Sequence, residues 1–151
     1  MKPTALLAVV ALTLLTQSCR QLGFQDRPVP VDRDEVVTQD GVRYEEIYVG
    51  KGTIAGKGDE VLLDYTVWLA DKAGTRVDST LDRGVPVRVR IGDAFIDGLN
   101  TGLMSIQPTG RRRITVPARQ AYGATGVEGM IPPNADLVFE VHAIEVKPRT
   151  P

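Results

Sequence analysis

An α+β fold, with an antiparallel β-sheet curled around one short α-helix, is what three features of the 151-residue sequence predict. Apolar residues recur at period two in several separate segments, the signature of half-buried strands. Only one stretch carries a helical stripe, and the chain has room for one ordinary domain. Many strands with one helix must bury the helix against the sheet.

The domain is read as residues 41–148. Val42 to Val49 places Val42, Tyr44, Ile47 and Val49 among charged residues, an imperfect alternation suited to an outer strand. The glycine pairs at Gly50/Gly52 and Gly56/Gly58 lack phosphate-loop spacing and a hydroxyl after the lysine, so they read as turns. Val61 to Leu69 is rich in β-branched and aromatic residues and puts Val61, Leu63, Tyr65, Val67 and Leu69 on one face. Val77 begins a short extended piece before Asp78-Ser79-Thr80. Val85, Val87, Val89 and Ile91 then alternate with Pro86, Arg88 and Arg90.

Phe95 to Ile106 is the predicted helix, since Phe95, Leu99 and Leu103 repeat at i, i+4 and i+8 and Asp93 could cap it. Gly98 and Gly102 each cost such a helix about 1 kcal/mol relative to alanine, which close approach to a sheet would explain. Arg111-Arg112-Arg113 reads as a solvated strand start before Ile114 and Val116, with an anionic-surface patch as the alternative. A final strand alternates Leu137, Phe139, Val141 and Ala143 with Val138, Glu140, His142 and Ile144. His142 is expected to be structural.

Composition excludes whole classes of chemistry. Eighteen basic and nineteen acidic residues leave a net charge of −1, so no broad field exists to hold nucleic acid, and no such partner is expected. One cysteine and one histidine exclude a disulfide framework, thiolate-rich metal sites and paired-imidazole sites. Neither metal nor cofactor is expected. Aromatics make up only 5% of the chain, so the placement of eight rings becomes informative.

Residues 1–18 read as a signal peptide: Lys2 precedes an apolar and small-residue run from Ala5 to Leu15. About eleven residues at 1.5 Å each reach roughly half of a ~30 Å hydrocarbon layer, too short for a permanent span. Leu15-Thr16-Gln17-Ser18-Cys19 follows, and this stretch resembles a bacterial lipoprotein signal. The resemblance implies a diacylglycerol on Cys19, with soluble export after ordinary cleavage as the alternative. Thr16 stands where leucine is usual. Arg20, rather than aspartate, after the cysteine implies delivery to the outer membrane in a Gram-negative envelope, and a periplasmic or envelope location generally. Residues 19–40, with Pro28 and Pro30 and few bulky apolar groups, read as an anchor and flexible tether reaching up to about 70 Å at ~3.5 Å per residue. An edge strand within Val29 to Val37 is the competing reading.

The most informative segment is Ala121-Tyr122-Gly123-Ala124-Thr125-Gly126, followed by Gly129-Met130-Ile131-Pro132-Pro133-Asn134-Ala135-Asp136-Leu137-Val138-Phe139. Glycines permit unusual backbone angles and prolines stiffen the exit, so this is an ordered loop. It resembles the FKBP-type peptidyl-prolyl isomerases, the macrolide-binding immunophilins. The resemblance extends through Asp64-Tyr65-Thr66, Val77-Asp78-Ser79-Thr80, Asp82-Arg83-Gly84, Phe95-Ile96-Asp97-Gly98 and Gly110-Arg111-Arg112-Arg113-Ile114-Thr115-Val116-Pro117, in family order. It implies catalysis of X-Pro rotation in exported polypeptides, with a non-catalytic proline-binding or chaperone module on the same fold as the alternative.

By position in those motifs, the resemblance places Tyr65, Asp78, Tyr122 and Phe139 as catalytic residues and Val77, Val87, Phe95, Ile96, Leu99 and Ile131 as substrate-binding. Tyr65, Phe95 and Phe139 would wall the proline ring. The Ile96 N–H and Tyr122 hydroxyl would bond substrate carbonyls, and Asp78 would polarise the floor or order its neighbours. The chain departs from the family pattern where aromatics are usual, with Val77, Val87, Val89 and Leu99. Losing those rings removes contact area while keeping apolar character, so turnover and macrolide affinity are expected below the family norm. Proline-containing polypeptides are the expected partners, macrolides weak ones.

Overall fold

The computed structural model describes residues 34–71 and 73–150. The segment read as a signal peptide, Cys19 and most of the stretch read as a tether lie outside the described residues. Seven strands form one antiparallel sheet: β1 (Val36–Val37), β2 (Arg43–Tyr48), β3 (Glu60–Leu69), β4 (Arg76–Ser79), β5 (Val87–Arg90), β6 (Arg111–Val116) and β7 (Leu137–Lys147). Their order is β1-β2-β6-β7-β3-β4, with β5 also pairing β3. The sheet therefore begins inside the stretch read as tether, where Val36 faces Tyr44 across an edge pair.

The long central pair β3·β7 runs in register from Glu60↔Lys147 to Leu69↔Leu137, with one shift between Leu62 and Leu63. It brings the period-two rows together: Val61, Leu63, Tyr65, Val67 and Leu69 are buried with Leu137, Phe139, Val141 and Ala143. Each fully buried aliphatic or aromatic side chain contributes about 1.5–3 kcal/mol, so this double row is the main part of the core. β4 and β5 share the other edge of β3. β5 pairs Glu60 to Leu63 and β4 pairs Thr66 to Trp68.

The helix is shorter than the stripe predicts. α2 spans Asp97–Gly102, after a one-turn α1 at Thr80–Arg83 that was too short to show a period. Leu99 and Leu103 are buried as expected, but Phe95 precedes the helix and is half exposed. Ser105 at φ 64° turns the chain away, and Ile106 reaches the core from that turn. Asp93 does not cap the helix. Ile96 occupies the N-cap in extended conformation, and the Asn100 side chain accepts from the Gly92 and Ala94 N–H groups instead. The two glycines do mark close approach: a Cβ on Gly98 would sit 2.3 Å from Val116 Cγ1, and one on Gly102 would sit 2.5 Å from Ile114 Cγ2.

The arginine run is not a solvated strand start. Period two puts Arg112 on the same face as Ile114 and Val116, and its side chain is 1% exposed. There its Nη1 donates to the Gly102 and Met104 carbonyls, each at 2.7 Å, and its Nε donates to Glu46 Oε1 at 2.9 Å. The guanidinium also lies over the Tyr44 ring, 4.3 Å from its centroid. On the opposite face Arg113 pairs at 2.7 Å with Glu140, which is wholly buried. Only Arg111 retains substantial exposure. Val85, expected in a strand row, is exposed before β5 begins, because Pro86 has no N–H to donate to a ladder.

Arg112 ties the helix end to the sheet, so Arg112→Met should lower unfolding free energy by about 3 kcal/mol, since two carbonyls and a carboxylate lose their donor. Urea titration checks this; a loss under about 1 kcal/mol would mean that the clamp is not structural.

Candidate active site

At the end of the sheet near Leu69 and Leu137, the concave row is left open by the short helix. β3 supplies Tyr65 and Val67, β4 supplies Val77 and Asp78, and β7 supplies Leu137 and Phe139. The segment before α2 adds Phe95, and the loop between β6 and β7 adds Tyr122, Val127, Met130 and Ile131. These residues and Arg83 line a cavity of about 330 Å³, at the lower end of the range for small-ligand sites.

Three rings define its walls. The Tyr65 ring centroid lies 5.9 Å from that of Phe95 and 6.1 Å from that of Phe139, with interplanar angles of 40° and 54°. Tilted rings at this separation attract each other and leave an apolar concavity between them. The Tyr65 hydroxyl is turned to other work: it donates to Asp78 Oδ2 at 2.5 Å and accepts from Arg83 Nη2 at 3.2 Å. Arg83 also pairs with Asp78 Oδ1, which accepts in addition from the Ser79 N–H at 2.8 Å.

α1 explains why Arg83 reaches this point. The Ser79 side chain caps the helix by accepting from the Leu81 N–H, and Gly84 ends it at φ 65°. The Thr80 hydroxyl fixes the turn to β3, donating to Asp64 Oδ1 at 2.8 Å and accepting from the Tyr65 N–H at 3.0 Å. Asp82-Arg83-Gly84 was visible as a motif, but nothing in the sequence assigned Arg83 a contact with Asp78.

The loop carrying Tyr122 is held at both ends. Gly123 N–H donates to Ala118 O, Asn134 N–H donates to Gly123 O, and Ala118 N–H donates to Asp136 Oδ1 at 2.7 Å. Tyr122 is 37% exposed, and its hydroxyl has no hydrogen-bond partner among the described residues. The Ile96 N–H likewise has no acceptor among the described residues.

Of the residues assigned from sequence, Tyr65, Val77, Asp78, Phe95, Tyr122, Ile131 and Phe139 come together on this wall. Three do not. Val87, Ile96 and Leu99 are not among the residues lining the cavity, although the role expected of Ile96 was that of its backbone N–H. Leu99 follows its helical stripe into the core. Val87 sits opposite Leu63, two positions further from the open end than Tyr65. Missed were Val67, Arg83, Val127, Met130 and Leu137. The period-two rows containing Val67 and Leu137 were the signal available for those two.

The cavity has no nucleophile poised beside a base, and among the described residues no cluster of three potential metal ligands exists. What it offers is shape, desolvation and a few placed dipoles: an apolar binding pocket on an antiparallel sheet wrapped over a helix. The family described as FKBP-type peptidyl-prolyl cis-trans isomerase matches residues 51–144. An "FK506-binding protein" of Neisseria meningitidis serogroup B is 39% identical over 107 residues, covering 70% of this chain and 96% of that protein. The structure of FkpA from Escherichia coli superposes with a TM-score of 0.68 at 35% identity, over 76% of this chain and 52% of that one. A multi-domain immunophilin from Arabidopsis thaliana gives a TM-score of 0.77 at 26% identity, over 83% and 50%. The chain belongs to the FKBP-type peptidyl-prolyl cis-trans isomerases and is an enzyme of that class.

The charged groups of the pocket titrate far from neutrality. Burial alone would push the Asp78 carboxyl up, but bonds from Arg83, Tyr65 and the Ser79 N–H hold it below its ordinary 3.8. Burial, reinforced by the bond to Asp78, pushes Tyr65 above its ordinary 10.0. A lowered acid contributes stability above its unfolded pKa and loses it as pH falls through the folded one. For Tyr65 the raised value reverses this, and its contribution is lost as pH rises through it. Turnover should therefore be flat from about pH 5 to 9 and fall only outside that window. A bell-shaped kcat/KM profile centred near neutrality would show that another group controls the site.

Proposed function

We propose that the ring-lined cavity binds the proline of exported polypeptides and accelerates X-Pro rotation there, with the domain tethered to the bacterial envelope through a lipidated Cys19. The observation that carries the site assignment is the state of the pocket's polar groups. Tyr65, Asp78 and Arg83 satisfy one another, whereas the Tyr122 hydroxyl and Ile96 N–H have no partner among the described residues. The first set holds a wall in place, and the second is available to substrate carbonyls.

X-Pro rotation meets a barrier near the ~18–20 kcal/mol of ordinary amides, and exchange without a catalyst takes tens to hundreds of seconds. The planar ground state is polar because resonance places negative charge on the carbonyl oxygen and positive charge on nitrogen. Twisting by about 90° removes that resonance and the charge separation with it. An apolar, water-poor pocket lined by Tyr65, Phe95 and Phe139 therefore favours the twisted amide over the planar one. Each 1.36 kcal/mol of that preference gives tenfold in rate. Tyr122 and the Ile96 N–H would hold the flanking peptide while the imide turns, a dipolar contribution fixed in advance.

Val77 gives this wall less contact area than an aromatic would, and Leu99 lies in the core without reaching the cavity. We read this as a looser pocket with turnover and affinity for macrolides of the FK506 kind below the family norm. The N-terminal run, Leu15 to Cys19 and Arg20 support export, lipidation and outer-membrane delivery. The substrates would then be chains folding after export.

Exchange of an X-Pro peptide series with and without the purified chain tests the reaction, and acceleration is expected. Tyr122→Phe should lower kcat/KM by about two- to tenfold with an unchanged unfolding midpoint, the effect of one lost hydrogen bond. Saturable peptide binding without acceleration would instead make this a proline-binding module. Intact-mass analysis of membrane-extracted protein should show acyl mass that Cys19→Ser lacks; an unmodified Cys19 would refute the anchor.

A further inference from the structure

A second cavity, about 650 Å³ in volume, lies directly beside the ring-lined one. The two share Val127, Met130 and Ile131 as a common wall. Leu69, Pro132 and Pro133 also line the second cavity. The partition is a built element: Val127 N–H donates to Ile131 O and Ile131 N–H donates to Val127 O, each at 2.8 Å. Gly126 locks its base, since a Cβ there would stand 2.3 Å from Ile131 O. Met130 is 56% exposed and lines both cavities, a flexible thioether able to adapt to an apolar group on either side. Glu128, at the exposed tip of this hairpin, has no ion-pair partner among the described residues.

We propose that this cavity is a second subsite for the substrate polypeptide, taking a large apolar side chain two to four residues from the proline, while Glu128 favours a basic residue next to it. The inference rests on the isomerase reading of the first cavity and names which polypeptides that site prefers. Continuity selects the occupant: the two cavities share Met130 and Ile131, so a chain whose proline lies among the three rings reaches the second by crossing those residues. An extended chain advances about 3.3–3.6 Å per residue, so two to three residues span roughly 7–11 Å, enough to cross a wall one side chain thick. A large apolar side chain arriving there leaves water for a surface of Leu69, Met130 and the two prolines.

The test compares an alanine-flanked X-Pro tetrapeptide with decapeptides carrying one leucine at each position two to four residues before or after the proline. At one of these positions leucine should raise kcat/KM about tenfold over alanine, and lysine beside it should add a further two- to threefold. Thr125→Arg, which fills the second cavity from an exposed position outside the first, should abolish the leucine gain while leaving tetrapeptide turnover within about twofold. Glu128→Gln should abolish the lysine gain alone. No leucine gain at any position, or equal losses for long and short peptides in Thr125→Arg, overturns the subsite. If the tetrapeptide is not turned over at all, the isomerase reading fails. Titration of the same decapeptides then decides the subsite: affinity that depends on leucine and is lost in Thr125→Arg sustains it, and affinity indifferent to both overturns it.

Discussion

Everything at the site depends on how closely α2 lies against β6. Gly98 faces Val116 and Gly102 faces Ile114 at distances that leave no room for a β-carbon. The helix is therefore pressed into the sheet, and its few residues cover only part of the concave row. What remains uncovered, from Tyr65 to Val67 and from Leu137 to Phe139, lines a cavity. Arg112 completes the arrangement by holding the carbonyls of Gly102 and Met104 from below. A longer helix or a wider gap would have filled the concavity with the protein's own side chains.

The same economy governs polarity. The proposed preference for the less polar of two amide geometries requires a pocket with few free polar groups, yet its walls are built from Tyr, Asp and Arg as well as Val and Phe. The conflict is resolved by mutual satisfaction: the Tyr65 phenol, the Asp78 carboxylate and the Arg83 guanidinium bond to one another at the edge and leave a ring face toward the cavity. Because charge-assisted bonds to an ionised carboxylate are short and directional, they also set the orientation of the Tyr65 ring.

The strand rows and the core were legible because a half-buried strand imposes period two, and β3 from Leu63 to Leu69 and β7 from Leu137 to Ala143 carry it up to the register shift at Leu62/Leu63. The pocket rings were legible only through their places in known motifs. At Leu99 the helical stripe gave the location, whereas at Phe95 the motif position did, since that ring precedes the helix and lines the cavity. The arginine run was misread because three adjacent charges suggest solvent, although the alternation through Ile114 and Val116 already placed the middle one inside. Arg83 and the hairpin wall of Val127 and Met130 escaped for a different reason: their contacts are set by a one-turn helix and a tight loop, elements too short to leave any periodicity.

The division of one β3 edge between two short strands has a further consequence. β4 pairs only three positions of β3, with a shift between Val67 and Trp68, and no strand flanks its outer side among the described residues. Val77, Asp78 and α1 thus belong to a small edge unit fastened by Ser79 and Thr80 to Thr66, Asp64 and the Tyr65 backbone, and by Asp78 and Arg83 to the Tyr65 hydroxyl. Such a unit opens at a lower free energy than the β3·β7 centre, and its amides exchange with solvent through local rather than global unfolding. The enzyme thereby joins a rigid floor to a separately detachable flank, so that the cavity can loosen on one side while the domain stays folded.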